Sequence, residues 1–355
     1  MVPVLSAVTR VTLVTYDDDP PLGGQGVEAR GMRAALEARD VTVTTIAGRG
    51  HAAIPFRRLS RREPLDFSLH LNRHPGLIRE TTPDVVHALG GPGGVLLLRR
   101  LEAPLVYTAN HTYRMAHDMG SVKRVMSPLE AHAYRAAAMV LAISTTTADA
   151  VRGLGVPANR VEVLAPGVDV PDVPTHRDQL RILFAGRWEP EKGVLDAVAV
   201  MRDVIAQVPG AAGAVVGGGH LEAQVRSLAS TVPGVEVLGR VSDQRLAAEY
   251  ARAAVVLMPS RYEGLGLAAL EGQAHGAVVV GYDVDGLRDA VAHRHLLVPE
   301  GDMDAMARAV LRLAGDLMER DALASAAQHW VAERHSWAAV AERLEQVYAA
   351  VTSGR

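Results

Sequence analysis

The 355-residue chain has no cysteine. Disulfides, thiolate metal sites, iron–sulfur clusters and a cysteine nucleophile are excluded, and the composition suits the cytoplasm. No run of 18 uninterrupted apolar residues occurs, so no transmembrane helix is expected. The opening MVPVLSAVTRVTLV lacks a charged lead and a long apolar core, so it reads as the approach to a first strand and not as a signal peptide. Lysine is nearly absent: of 37 basic residues only Lys123 and Lys192 are lysines, so a site that uses lysine stands against the chain's own bias. The net charge of −3, distributed as +2 over residues 1–178 and −5 over the rest, argues against a nucleic-acid partner.

What is present is alternation. Apolar runs recur at 10–16, 41–47, 84–89, 104–109, 139–144 and 160–165, then at 181–186, 214–217, 235–239, 255–260, 277–282 and 295–299. Many are continuous, without polar alternation, which marks strands of a parallel sheet covered on both faces. Helical patterns of 10–18 residues lie between them, so the repeating unit is βαβ. The alternation breaks once, at PGVDVPDVPTHRDQ (166–179), whose three prolines and three aspartates fit an interdomain linker. The expected architecture is two Rossmann-like parallel-sheet domains facing each other across a cleft. Their bounds are 1–170 and 171–335, with a C-terminal helix at 336–355. Ligands of such sheets sit at the carboxyl ends of the strands.

Three motifs carry possible chemistry. Leu22-Gly23-Gly24-Gln25-Gly26 lies between the first strand and helix, and fits either a phosphate cradle or a plain turn. The second strand ends Ile46-Ala47-Gly48-Arg49, without the acidic residue that a dinucleotide ribose wants, which argues against NAD. Gly186-Arg187-Trp188-Glu189-Pro190-Glu191-Lys192-Gly193 sets two cations around a helix start, a design for a diphosphate. Solvated charge is the alternative, with Glu189 and Glu191 pairing both cations. Pro259–Glu271 places Glu263 on a glycine loop after a strand and Glu271 in an Ala/Leu-rich helix. A carboxylate there can accept two hydroxyls of a sugar, or else faces solvent or an arginine.

Lesser features are Asn110-His111-Thr112 after a strand, and the pairs Asp17/Asp19, Asp283/Asp285 and Asp302/Asp304. The paired aspartates have metal-like spacing, but surface turn chemistry explains them, and no metal site is expected. The run Arg57, Arg58, Arg61, Arg62 beside Ile54 and Phe56 fits a solvated face better than an anionic acceptor or a membrane surface.

Together these motifs, in this order, resemble the retaining glycosyltransferases of the GT4 family, which have the GT-B fold. The resemblance covers nearly the whole chain: GGQGVEARGMRAALEARDVTVT, PDVVHALG, Thr108–His111, VEVLAPGVD, ILFAGRWEPEKG, VEVLGRVS and PSRYEGLGLAALEGQAHGAVVVG. The last resembles the family's two-glutamate motif, with seven residues between the glutamates.

The resemblance implies a nucleotide-diphosphate sugar donor, a UDP-sugar foremost, and no other cofactor. It implies that Arg187 and Lys192 hold the diphosphate and Glu271 the ribose. Glu263 would touch the transferred sugar, and the backbone of Gly264, Leu265, Gly266 and Leu267 would contact sugar and phosphate. His111 would contact the donor sugar and assist the transition state. Gly23 and Gly24 would approach the diphosphate, and Arg240 and Val241 would lie by the base. The expected acceptor is a small-molecule hydroxyl, ahead of a phospho- or lipid-linked one. Two cations and helix N-termini can stabilise the leaving diphosphate, a role that metal plays elsewhere.

One departure from the family pattern is Gly272-Gln273-Ala274 after the second glutamate, where Ala and a hydrophobic residue are commoner. Alternatives on the same fold are a nucleotide-sugar epimerase, a phosphorylase, a Rossmann oxidoreductase and a nucleotide-sugar-binding protein without turnover. The glutamate pair, the scarcity of lysine, the missing ribose acid and the intact cations count against them in turn.

Overall fold

The computed structural model describes residues 8–21, 24–60, 62–115 and 122–353. Each apolar run forms a strand, and the chain divides into two units. The first comprises residues up to Gly167 together with those from Trp337 onward; the second is Val168–Ser336.

In the first unit β1 (Arg10–Thr15), α1 (Gly24–Glu37) and β2 (Thr42–Ala47) lead to α2 (Glu63–Arg73), α3 (Gly76–Arg79) and β3 (Val85–Gly90). Then come β4 (Leu105–Ala109), α4 (Val122–Ala136), β5 (Met139–Ala142), α5 (Thr145–Arg152) and β6 (Val161–Val163). All pairings are parallel, in the order β2-β1-β3-β4-β5-β6. β3 and β4 are buried throughout, which is why their sequences carry no polar alternation.

The second unit runs β7 (Arg181–Arg187), α6 (Val194–Ile205), β8 (Ala212–Gly218), α7 (Glu222–Ala229), β9 (Val235–Gly239) and α8 (Asp243–Arg252). It continues with β10 (Val255–Met258), α9 (Leu267–Ala274), β11 (Val278–Tyr282), α10 (Asp285–Ala290), β12 (Leu297–Val298), α11 (Met303–Gly315) and α12 (Leu317–His335). Its sheet is also parallel, ordered β12-β11-β10-β7-β8-β9. The winding reverses between β7 and β10, and such a reversal opens a crevice at the carboxyl edge.

The segment following Gly167 is no free tether. Val168 N–H donates to the His335 carbonyl at 2.8 Å, and Arg320 donates to the Arg177 carbonyl. The chain returns to the first unit at Trp337, where α13 (Trp337–Ser353) packs on α1. The indole fits against two glycines, Gly31 and Gly167, where any Cβ would collide with it.

Candidate active site

The reversal point of the second sheet is built around Gly193. Its φ is +66°, and a Cβ there would run into the Pro259 carbonyl oxygen, so only glycine fits. This contact presses the turn Pro190–Lys192 against the loop that leaves β10. Arg261 N–H donates to the Glu191 carbonyl at 2.8 Å, and the Arg261 guanidinium reaches Asp196 at 2.9 Å. Lys192 is thereby delivered to Glu263, with Nζ 2.8 Å from Oε1 and side chains 19% and 11% exposed. Ser260 Oγ donates to the same oxygen at 2.8 Å.

The cations do not share Glu189 and Glu191 between them. Arg187, largely exposed, meets Glu191 at 3.2 Å. Glu189 turns instead to His220, whose Nδ1 is 2.7 Å from Oε2 and holds the carboxyl below its ordinary range.

Gly264 and Leu265 lead to Gly266, whose φ of +96° turns the chain into α9. Among the described residues no side chain caps this helix, so its first N–H groups stay available to an anion. Behind the loop, Gly286 allows α10 to abut the Glu263 carbonyl. Glu271 stands in the second turn of α9, half-buried, and accepts a hydrogen bond from the Tyr250 hydroxyl at 2.9 Å. Burial raises its carboxyl, the Tyr250 bond opposes that, and the charges of Asp243 and Asp169 add to the rise. The partner is thus a tyrosine, neither solvent nor an arginine. The unusual Gln273 is buried and cross-links α9 to α10, donating to the Ala290 carbonyl at 2.7 Å and accepting from Ala292 N–H at 2.9 Å. At the ends of β8 and β9 the exposed Arg240 lies over Gly218, where a Cβ would be 3.1 Å from Nε, and Val241 is half-buried beside it.

In the first unit Gly23 falls outside the described residues. Gly24 opens α1, exposed and with open space around its α-carbon. Gly26 is needed for packing, since a Cβ would strike the Asp17 carboxylate. His111 is half-buried in the loop after β4, with its carbonyl against the α-carbon of Gly91. On either side stand two buried carboxyls that residue type alone did not reveal. Glu28 accepts from Asn110 Nδ2 at 2.9 Å, and Glu130 accepts from Tyr113 N–H at 2.9 Å. Burial pushes Glu28 up to about 7 against the Asn110 bond, and Glu130 up to about 8 against the bond from Tyr113. Helical period could have found them: Glu28 is in line with buried Met32 and Leu36, and Glu130 with buried Met126 and Tyr134.

Surface turn chemistry does not describe the first aspartate group. Asp18 is fully buried, pairs with Arg33 at 3.0 Å and accepts from Ala52 N–H at 3.1 Å. Asp17 pairs with Arg49, and Asp19 with Arg30 at 3.7 Å. Asp283 and Asp285 both meet Arg288, at 2.6 and 2.7 Å. Asp302 caps α11 by accepting from Ala305 N–H at 2.8 Å. Of the basic run, Arg57 and Arg58 are exposed, Arg58 pairs with Glu63 at 3.0 Å, and Arg61 lies outside the described residues. Among the described residues no helix is long and apolar enough to cross a membrane.

Comparison with known proteins gives the family. Residues 179–316 match the family model described as glycosyl transferases group 1, and residues 22–171 match glycosyltransferase family 4. The chain is 31% identical over 313 residues to a D-inositol 3-phosphate glycosyltransferase of Jonesia denitrificans, covering 75% of this chain and 71% of that one. It is 33% identical over 276 residues to a 2-deoxystreptamine N-acetyl-D-glucosaminyltransferase of Streptomyces fradiae, covering 68% and 64%. In fold it resembles a sucrose-phosphate synthase structure from Thermosynechococcus elongatus, with a TM-score of 0.77, 20% identity, and coverage of 98% and 100%.

Proposed function

The chain belongs to the group 1, family 4 glycosyltransferases, and on that premise we propose that it moves a sugar, with retention, from a nucleoside-diphosphate sugar to a hydroxyl of a small molecule. The observation that carries the donor assignment is the Lys192–Glu263 pair at the reversal point of the second sheet, a cation and an acid 2.8 Å apart where a ligand binds in such sheets. Arg187, Lys192 and the uncapped start of α9 take the diphosphate, and Gly23 and Gly24 are further contacts to it. Glu271 takes the ribose hydroxyls, and Arg240 and Val241 lie by the base, uracil foremost. Glu263 and the Gly264–Leu267 backbone take the sugar, and His111 contacts it during transfer.

The chemistry follows from charge. The bond between the anomeric carbon and the diphosphate lengthens, positive charge grows on the sugar ring, and negative charge grows on the leaving oxygen. Arg187 and Lys192 stabilise the latter, so a metal has no separate task. The acceptor oxygen enters on the face the diphosphate leaves, and its proton passes to the departing phosphate. That the two relatives are named for D-inositol 3-phosphate and 2-deoxystreptamine supports a small polyhydroxylated acceptor.

The test is calorimetric titration of UDP, GDP, ADP and TDP into the purified protein and into an Arg187→Ala/Lys192→Ala variant. One diphosphate should bind selectively and lose its affinity in the variant, and turnover should persist in EDTA. Binding of no diphosphate would overturn the donor assignment, and strict dependence on added Mn²⁺ or Mg²⁺ would overturn metal independence.

A further inference from the structure

His111 sits in irregular backbone, yet a group that acts on a reacting sugar must be held to a fraction of an ångström. A misplacement of about 1 Å can cost on the order of 100-fold in rate. Three supports of the loop Asn110–Tyr113 stand among the described residues. Gly91 backs the His111 carbonyl. Glu28, from α1, holds the Asn110 side chain, and Glu130, from α4, holds the Tyr113 N–H, each at 2.9 Å. Among the described residues Asn110 Oδ1 and Thr112 Oγ1 are buried with no hydrogen-bond partner.

A carboxyl is an expensive choice for such places. Glu28 is 5% exposed and Glu130 is fully buried. Neither is in an ion pair among the described residues, and burial without one is costly for a charge. A methionine would fill either space at no such cost, but it could not accept a hydrogen bond. What the acids contribute is an acceptor oxygen at each end of one four-residue loop.

We infer that Glu28 and Glu130 are positioning residues for His111, fixing the two ends of its loop through hydrogen bonds to Asn110 and Tyr113. The inference rests on the proposed contact between His111 and the donor sugar. It adds that the contact depends on two carboxyls that touch neither donor nor acceptor.

The experiment compares Glu130→Gln, Glu130→Met, Glu28→Gln, Glu28→Met, His111→Ala and the double variant His111→Ala/Glu130→Met. Turnover is read as UDP released from UDP-N-acetylglucosamine or UDP-glucose, with and without myo-inositol. UDP affinity is read by calorimetry, and hydrogen exchange is followed in peptides spanning residues 110–115. The methionine variants fill the side-chain volume, so the protein stays folded while the acceptor oxygen is lost.

Each methionine variant should lose about 10- to 100-fold in kcat. UDP affinity should be unchanged, because Arg187, Lys192 and Glu271, the side chains assigned to the nucleotide, lie in the other unit. Exchange at 110–115 should quicken. The glutamine variants keep an acceptor oxygen and should stay near wild type in all three readouts. The double variant should be no slower than His111→Ala alone, because a residue that acts through His111 has nothing left to position. Losses that multiply, or glutamine variants as slow as the methionine ones, would overturn the inference. Exchange at 110–115 that is unchanged in the methionine variants would also overturn it. Full turnover in His111→Ala would instead overturn the assignment of His111 itself, and the exchange data would then report on the clamp alone.

Discussion

Replacing Glu263 with glutamine should tighten the binding of a nucleoside diphosphate while slowing transfer. In the free protein Lys192 is already engaged: its ammonium lies 2.8 Å from Glu263 Oε1. A diphosphate must draw the ammonium away or share it, and it must approach a carboxylate of its own sign. A partly exposed pair of this kind is worth about 1 kcal/mol. Glutamine removes the competing charge but still accepts from Ser260, so UDP affinity should rise about fivefold. Lys192→Ala acts oppositely. Hydrogen bonds to a charged group are worth about 1.5–3 kcal/mol, and losing one is partly offset because no ion pair need be broken. The affinity should then fall by roughly 2- to 30-fold in the wild-type background, and by more once Glu263 is glutamine. Calorimetric titration of UDP into both single variants and the double variant yields the coupling directly. A Glu263→Gln variant that binds UDP more weakly than wild type, or a coupling of zero, would refute the view that Lys192 is shared between carboxylate and phosphate.

Two further outcomes concern stability. The folded-state values of about 7 for Glu28 and about 8 for Glu130 lie above the ordinary 4.5, so the native state holds more protons than the unfolded one in between. Stability should therefore be greatest below about pH 4.5 with respect to these groups, fall through pH 7 and 8, and then level off, losing on the order of 3 and 5 kcal/mol. Chemical denaturation at pH 5, 7 and 9 should show Glu130→Gln gaining on the wild type as pH rises, and parallel profiles would contradict the burial argument. Gly31→Ala, in the middle of α1, should gain about 1 kcal/mol from helix propensity. Its Cβ would collide with the Trp337 indole, which Gly167 backs from another side, so a net loss of about 1–3 kcal/mol is expected in thermal melts. That loss should vanish in the Trp337→Ala background.

The fold was legible because a parallel sheet writes itself as continuous apolar runs. Stretches such as AVVVGY, buried throughout in β11, cannot alternate when helices cover both faces. The site was legible only in part, and the reason is separation along the chain. Spacing placed Arg187 and Lys192 together and Glu263 near Glu271, but it offered Glu189 and Glu191 as partners for the cations. The true partner of Lys192 lies 71 residues away. It is reached only because β7 and β10 are neighbours and Gly193 lets their loops touch. No local pattern encodes that adjacency; the strand order does. The buried acids escaped for a different reason. Glutamate is a surface residue type, so Glu28 and Glu130 drew no notice in the sequence, although their period set them on the buried faces of α1 and α4. Asp18 drew no notice between Asp17 and Asp19, which read as turn residues, although Arg33 and a backbone N–H hold it inside. In each case the charged residue is out of register with its surroundings, and the bond it makes there reaches a loop at the carboxyl edge of a sheet. A carboxyl on the apolar stripe of a helix is thus a sign to look for the loop that it holds and for what that loop carries. Here, for Glu28 and Glu130, it carries His111.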